Sequence, residues 1–182
     1  LGARTLEHAL LRNGAWLHHF RLEDPSDRAE RTPWWVQAYG NMTALSLYRL
    51  TGEDRYLDAF RSGAAFWNRH GVDPLYGGAY LAVDTLGTPT RPEKAVRTKT
   101  SYHAMEHGLL LDLYTGLWLT GEPRPLWFRV AEPDGERLRP LPVVEPEARI
   151  ADVEVNGRPW QDFDGDGGWV DLPDRGPASV RL

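Results

Sequence analysis

Two imidazoles and a carboxylate lie close together in one stretch of this sequence. His103, Glu106 and His107 follow the i, i+3, i+4 spacing, which places them on one face of a helix. They come near the start of residues 97–119, a run that is otherwise almost uncharged and is predicted to form a helix buried on all sides. Because imidazole exchanges protons near neutral pH, these residues indicate acid–base chemistry. Histidines hydrogen-bonded inside a core are the alternative.

The composition limits the other kinds of site. The chain has 182 residues, no cysteine and a net charge of -5, so thiolate chemistry and disulfides are excluded. No basic cluster indicates a nucleic-acid surface, and no apolar run reaches transmembrane length. We therefore expect a cytoplasmic protein without nucleic-acid or membrane partners and without a cofactor. Because the sequence begins within a helical pattern and without Met, we interpret it as a piece of a longer protein.

Two kinds of helix alternate along the first two thirds of the chain. Residues 1–20 and 54–70 carry apolar side chains along one face, which predicts outer, amphipathic helices. Residues 34–50 and 100–119 are apolar nearly all round, which predicts inner helices. A short hairpin with a strand in residues 76–85 separates the third helix from the fourth. This alternation is what a ring of helical hairpins requires.

Two inner helices separated by one outer helix run parallel, so their N-termini open on the same rim. We therefore expect one cleft, favourable to an oxyanion because helix N-termini are partly positive. The side chains predicted to contact a ligand there are Trp34, Trp35, Gln37, Tyr39, Lys99, Tyr102, His103, Glu106 and His107. For Gln37, and for Asn41 one turn later, two buried amides satisfied by their neighbours are an equally good interpretation.

Three segments together resemble the N-acylglucosamine 2-epimerase family. They are WWVQAYGNMTALSLYRLTGEDRYL from Trp34, YGGAYLAVDTLG from Tyr76 and KTSYHAMEHGLL from Lys99. The resemblance covers approximately residues 1–120 and implies part of an (α/α)6 barrel, whose missing N-terminal helices would be a partner of this chain. The family includes sugar 2-epimerases and aldose–ketose isomerases, which implies a mono- or oligosaccharide substrate.

The resemblance also implies roles for individual residues. The histidine of the family's Tyr-His pair corresponds to His103 and would be a catalytic acid/base, moving the proton at C2 of an open-chain sugar through an enediol. The paired tryptophans, Trp34 and Trp35, would line the sugar site. Of the other residues at the cleft, Lys99 and Tyr102 would position the sugar or its developing oxyanion.

This sequence departs from the family pattern at several positions. Tyr39 stands where the family usually has Glu, Thr98 where it has Trp, and Glu106 where it often has Arg. The family's second catalytic histidine belongs to a Gly-His motif on an earlier inner helix, and this sequence contains no Gly-His. We therefore expect the active site to be incomplete in this chain alone.

After residue 122 the pattern changes to short alternating segments separated by turns. Asn156-Gly157, between two of these segments, is a signal for a type I′ hairpin. We predict a mainly α fold with two domains. Residues 1–122 would form a partial (α/α)6-barrel domain, and residues 123–182 a small antiparallel, β-sandwich-like domain.

Two segments resemble metal-binding motifs, and two other functions are compatible with the sequence. Residues 103–107 fit the H-x-x-E-H zinc pattern, and residues 162–167 open like a calcium loop whose twelfth position is Pro173 instead of Glu. A third zinc ligand is lacking and a plain turn explains the aspartates, so we predict no metal. A carbohydrate-binding module, or a toroidal glycoside hydrolase or lyase, is the alternative function. Hydrolysis requires two carboxylates, and only Glu106 lies near His103.

Overall fold

Helices dominate the first part of the chain. The protein is represented by a computed structural model, which describes residues 2–182. Its helices are α1, Gly2–Ala9; α2, Trp34–Thr51; α3, Asp54–Phe66; and α4, Tyr102–Thr115. Five-residue π-helical turns, Trp67–Gly71 and Gly116–Thr120, continue α3 and α4. The helices predicted over residues 34–50, 54–70 and 100–119 are confirmed.

The first helix is shorter than its apolar pattern predicts. Helix α1 ends at Ala9, and Asn13-Gly14 forms a turn in which Gly14 has a φ of 92°, a backbone conformation that favours glycine. The turn carries Trp16 into the interior, where only 2% of its surface is exposed. The prediction of a helix through residue 20 is wrong because the Asn-Gly turn and the burial of Trp16 outweigh helical periodicity.

A small antiparallel sheet of order β1-β2-β3 precedes α4 in the fold. Its strands are β1, Arg31–Pro33; β2, Ala82–Asp84; and β3, Pro89–Arg91. The strand predicted within residues 76–85 forms only from Ala82, because Gly77 and Gly78 both have positive φ and turn the chain. The pairing of β1 with β2 was not predicted, because the segment before α2 contains charged residues and a proline, which are typical of a loop.

The chain divides into two compact units, Leu1–Leu111 and Asp112–Leu182. The second unit contains a sheet of order β4-β10-β6-β7 and a sheet of order β5-β9-β8. The strands are β4, Trp127–Val130; β5, Arg137–Leu138; β6, Glu154–Val155; β7, Arg158–Pro159; β8, Phe163–Asp164; β9, Trp169–Asp171; and β10, Ala178–Arg181. Its core is built from Ile150, Val153, Val155, Val170, Leu172, Ala178 and Val180.

Turn chemistry in the second unit follows the sequence closely. Asn156 and Gly157 have φ values of 52° and 75° and join β6 to β7, as the type I′ hairpin signal predicts. In the aspartate-rich segment, Asp164 Oδ1 accepts a hydrogen bond from the Gly167 N–H at 2.8 Å. Asp164 ends β8, and Asp166 lies in the turn between β8 and β9.

Helix α4 is less buried than an inner helix was expected to be. Met105 is 70% exposed and Leu109 is 43% exposed, whereas His107 on the same helix is buried. The apolar composition of α4 is real, but no part of residues 2–182 covers these two side chains. No helix within residues 2–182 is both long enough and apolar enough to cross a membrane.

Candidate active site

Residues near the start of α2 contact residues near the start of α4, and later residues of α2 contact later residues of α4. Near the helix starts, the ring of Trp34 lies 6.1 Å from the ring of His103, measured between centroids. Further along both helices, Asn41 Nδ2 lies 3.2 Å from His107 Nε2. The two helices therefore run in the same direction, as their order in the sequence predicts, and both begin at the same end of this unit.

Aromatic side chains surround His103 near the helix starts. The rings of Tyr39 and Tyr102 lie edge-on to the imidazole, with centroid distances of 5.4 and 5.0 Å. The Tyr39 hydroxyl lies 3.1 Å from His103 Nδ1. Tyr102 is 61% exposed and Tyr39 is 44% exposed, so both rings remain accessible to a ligand. The structure thus brings together the imidazole and three aromatic rings, those of Trp34, Tyr39 and Tyr102.

Glu106 completes this cluster as a carboxylate held at both oxygens. Tyr39 Oη donates to Glu106 Oε2 at 3.0 Å, and Tyr102 Oη donates to Oε1 at 3.1 Å. Burial raises the pKa of Glu106, but the hydrogen bonds from Tyr39 and Tyr102 and the adjacent imidazole of His103 outweigh that effect, so the pKa lies below its usual value. The carboxyl is therefore ionised at neutral pH, beside an imidazole that it can stabilise when charged.

Lys99 lies deeper than a ligand-contacting residue would. It is only 2% exposed, and its ammonium donates to the backbone carbonyl of Lys94 at 2.7 Å. The same ammonium lies 5.3 Å from the centroid of the Trp34 ring. Burial lowers the pKa of Lys99 below its usual value. The structure differs here from the predicted contact with a ligand, because the ammonium is directed at the backbone and holds the segment before α4 against Trp34.

Gln37 is a buried amide and does not reach the cluster. It is 2% exposed, and its Nε2 donates to the carbonyls of Gly14 and Gly63, both at 2.9 Å. Its Oε1 accepts a hydrogen bond from the Trp16 N–H at 3.0 Å. The structure matches the buried amide, because the carbonyls of Gly14 and Gly63 occupy Nε2 of Gln37 and the backbone N–H of Trp16 occupies its Oε1.

His107 is likewise an interior residue. It is 3% exposed, its ring centroid lies 4.6 Å from that of Trp67, and its Nε2 faces the Asn41 amide. Burial lowers the pKa of His107 to about 4, so the imidazole is neutral at physiological pH. His103 and His107 therefore face different partners, and residues 2–182 contain no cluster of three His, Cys, Asp or Glu side chains suited to a metal ion.

Trp35 lies beside His18. Trp35 is 38% exposed, and its ring packs edge-on against His18 at a centroid distance of 5.8 Å. Burial, Arg31 and His19 lower the pKa of His18, in that order of effect. No sequence pattern indicated this contact, since the segment containing His18 was predicted to continue the first helix.

Comparison with known proteins assigns the helical part of the chain to a family. Residues 1–107 match the family model described as N-acylglucosamine 2-epimerase (GlcNAc 2-epimerase). The chain belongs to the N-acylglucosamine 2-epimerase family. No curated protein matches the chain.

Solved structures give a fold-level likeness. Cellobiose 2-epimerase from Bacillus thermoamylovorans is 22% identical and has a TM-score of 0.52, and the match covers 59% of this chain and 27% of the epimerase. Cellobiose 2-epimerase from Spirochaeta thermophila is 32% identical with a TM-score of 0.49, over 59% of this chain and 26% of that protein. A D-mannose isomerase is 23% identical with a TM-score of 0.48, over 56% of this chain and 26% of the isomerase. This chain therefore spans about a quarter of the length of the structures it matches.

Proposed function

We propose that this chain carries part of the active site of a sugar 2-epimerase or aldose–ketose isomerase, with His103 as an acid/base acting at C2. The observation that carries this proposal is the environment of the imidazole. Its Nδ1 is held by Tyr39, its ring is flanked by the aromatic side chains of Trp34 and Tyr102, and the Glu106 carboxylate lies 3.6 Å from Nδ1. An imidazole anchored at one nitrogen offers the other for proton transfer.

The chemistry needs a base near C2 of an open-chain sugar. His103 would take the C2 proton, the electrons of the C–H bond would form the C1–C2 double bond of an enediol, and the carbonyl oxygen would become the oxyanion. Return of a proton to the other face of C2 gives the epimer. Return to C1, with the O2 proton moving to O1, gives the ketose. The exposed aromatic rings of Trp35 and Tyr102 would stack on the sugar, which suits their apolar faces.

We further propose that α1 to α4 form part of an (α/α)6 barrel, completed by helices outside this sequence. The exposure of Met105 and Leu109 on α4 supports this, because an apolar helix of a folded protein is ordinarily covered on those sides. The second acid/base would come from the remaining helices. Residues 123–182 would then be an addition to the helical barrel.

Hydrogen exchange at C2 tests the proposed reaction. The full-length protein is incubated in D₂O with cellobiose, mannose and N-acetylglucosamine in separate reactions, and the products are analysed by NMR and mass spectrometry. We expect the epimer with deuterium at C2, or the ketose with deuterium at C1, from at least one sugar. New reducing ends without deuterium at C2 would instead indicate a hydrolase, and binding without either product would indicate a carbohydrate-binding protein.

A further inference from the structure

The Tyr39 hydroxyl is placed between the imidazole of His103 and the carboxylate of Glu106. Tyr39 Oη lies 3.1 Å from His103 Nδ1 and 3.0 Å from Glu106 Oε2, and both distances are within hydrogen-bond range. The direct distance from Nδ1 to Oε2 is 3.6 Å, which is too long for a hydrogen bond. The phenol therefore connects two groups that do not bond each other.

The chemistry of the three groups assigns the protons. A phenol has one proton to donate, whereas an ionised carboxylate can only accept. The Tyr39 proton is therefore directed at Glu106, which leaves a lone pair of the phenol oxygen facing His103 Nδ1. Two lone pairs would repel each other there, so Nδ1 carries a hydrogen and donates it to Tyr39. The Nε2 atom of a neutral His103 then has the free lone pair.

Glu106 is itself fixed in place. Its second oxygen, Oε1, accepts from the Tyr102 hydroxyl at 3.1 Å, so each carboxylate oxygen has one phenol donor. Burial and the hydrogen bond to Glu106 raise the pKa of Tyr39 above its usual value, so the phenol stays protonated at neutral pH. Tyr39 accordingly holds its neighbours in one arrangement and does not itself act as a base.

We propose that Tyr39 is a positioning residue, whose hydroxyl bridges His103 Nδ1 to Glu106 and thereby makes Nε2 the atom that exchanges a proton with the sugar. This inference rests on the proposed function and gives the Tyr39 hydroxyl a positioning role, where the sequence predicted only that the side chain contacts a ligand. In the proton-abstraction step the C2–H bond breaks and an Nε2–H bond forms, while the Nδ1 proton stays in place. The resulting imidazolium is stabilised through the phenol by the negative charge of Glu106.

Removing the phenol oxygen tests the bridge. Tyr39→Phe in the full-length protein keeps the ring but deletes Oη, so stacking on a ligand is preserved. We expect kcat for C2 exchange to fall about 10- to 100-fold, as when the partner that orients a metal-bound histidine is removed, while KM changes less than about 2-fold. A rise in KM with kcat unchanged would show that the hydroxyl contacts the sugar, and would overturn the proposal.

The tautomer of His103 provides a readout that does not depend on activity. Nitrogen-15 NMR of histidine-labelled protein, assigned with His103→Asn, should show the Nδ1–H tautomer in the native protein at alkaline pH. Tyr39→Phe should shift the population toward the Nε2–H tautomer that imidazole prefers in water. Tyr102→Phe is the matched control, because it also removes a phenol from Glu106 but leaves the bridge, and it should leave the tautomer unchanged.

The two arms separate failure of the reaction from failure of the bridge. A native protein without C2 exchange contradicts the proposed function, yet its His103 tautomer still reports on Tyr39. An Nε2–H tautomer in the native protein, or the same tautomer in Tyr39→Phe as in the native protein, overturns the bridge whatever the activity.

Discussion

Asn41 Nδ2 lies 3.2 Å from His107 Nε2, and both side chains are buried. An amide nitrogen can only donate, so His107 Nε2 must be unprotonated and the imidazole neutral. The other end of the same amide, Asn41 Oδ1, accepts from Trp16 Nε1 at 3.1 Å. The Asn41 side chain of α2 therefore connects His107 of α4 to Trp16, which follows the turn after α1.

This arrangement predicts a pH dependence of stability. Burial lowers the pKa of His107 from 6.5 to about 4, so between these pH values the unfolded chain binds a proton that the folded chain does not. The stabilisation is complete above pH 6.5 and is lost as the pH falls toward 4, by about 3 kcal/mol over the whole window. Urea unfolding between pH 7.5 and pH 4.5 measures this loss. His107→Gln should show a shallower dependence, and an identical dependence in the variant would contradict the assignment.

His103 and His107 should respond differently to substitution. General acid–base catalysis by one side chain is worth about 10²–10⁴-fold, so His103→Asn in the full-length protein should lower kcat for C2 exchange by that factor with little change in KM. His107→Asn should mainly reduce stability, because the side chain lies in the interior. Kinetics and thermal melting of both variants measure the contrast. A folded His103→Asn protein that keeps most of its exchange activity would end the catalytic assignment.

Asp73 should titrate far below an ordinary aspartate. Its hydrogen bond to Lys94, at 2.7 Å, and the backbone amides of Tyr76 and Leu75 lower the pKa of Asp73 from 3.8 to about 2. Because the folded pKa is depressed, the stabilisation is present above the unfolded value near 4 and is lost as the pH falls through 2. Carboxyl carbon-13 shifts should give a midpoint near 2. In Lys94→Met the midpoint of Asp73 should rise, and an unchanged midpoint would show that Lys94 does not lower the pKa of Asp73.

Gly63 should not tolerate a side chain. A Cβ at this position of α3 would collide with Asn41 Oδ1 and would come within 2.9 Å of Trp16 Nε1. We expect Gly63→Ala to lower the free energy of unfolding by about 1–3 kcal/mol, the usual cost of overpacking a core. Arg61→Ala, on the exposed side of the same helix, is the matched control and should change it by less than about 0.5 kcal/mol. Urea titrations of the two variants measure the difference, and equal stabilities would contradict the prediction.

The helices could be predicted from the sequence where apolar composition decides them. Helix α2 follows from the nearly uncharged run of residues 34–50, and its end from Gly52, whose φ of 70° closes the helix. The sequence did not indicate where the first helix stops. That depends on the space available for Trp16 between α2 and α3, which is a property of the packed molecule.

The cluster around His103 shows the same division. The proximity of His103 to Trp34 could be predicted from the sequence, because α4 and α2, which carry these residues, run parallel. The sequence could not predict which polar side chains turn inward. The direction of Gln37, for example, depends on the carbonyls of Gly14 and Gly63, which are far away in the sequence. The i, i+4 spacing placed His107 on the same helix face as His103, but the neighbouring Trp67 and Asn41 give it an interior environment.

The strand order of the second unit bears on how the protein is synthesised. Strand β10 pairs with β4 on one side and with β6 on the other, although it is the last strand in the sequence. Val180 therefore lies opposite both Phe128 and Val155. Until residue 181 has left the ribosome, β4 and β6 both present unpaired edges, which are prone to aggregation. The hairpin of β6 and β7 can pair earlier, but the four-stranded sheet can be completed only after β10 has been translated.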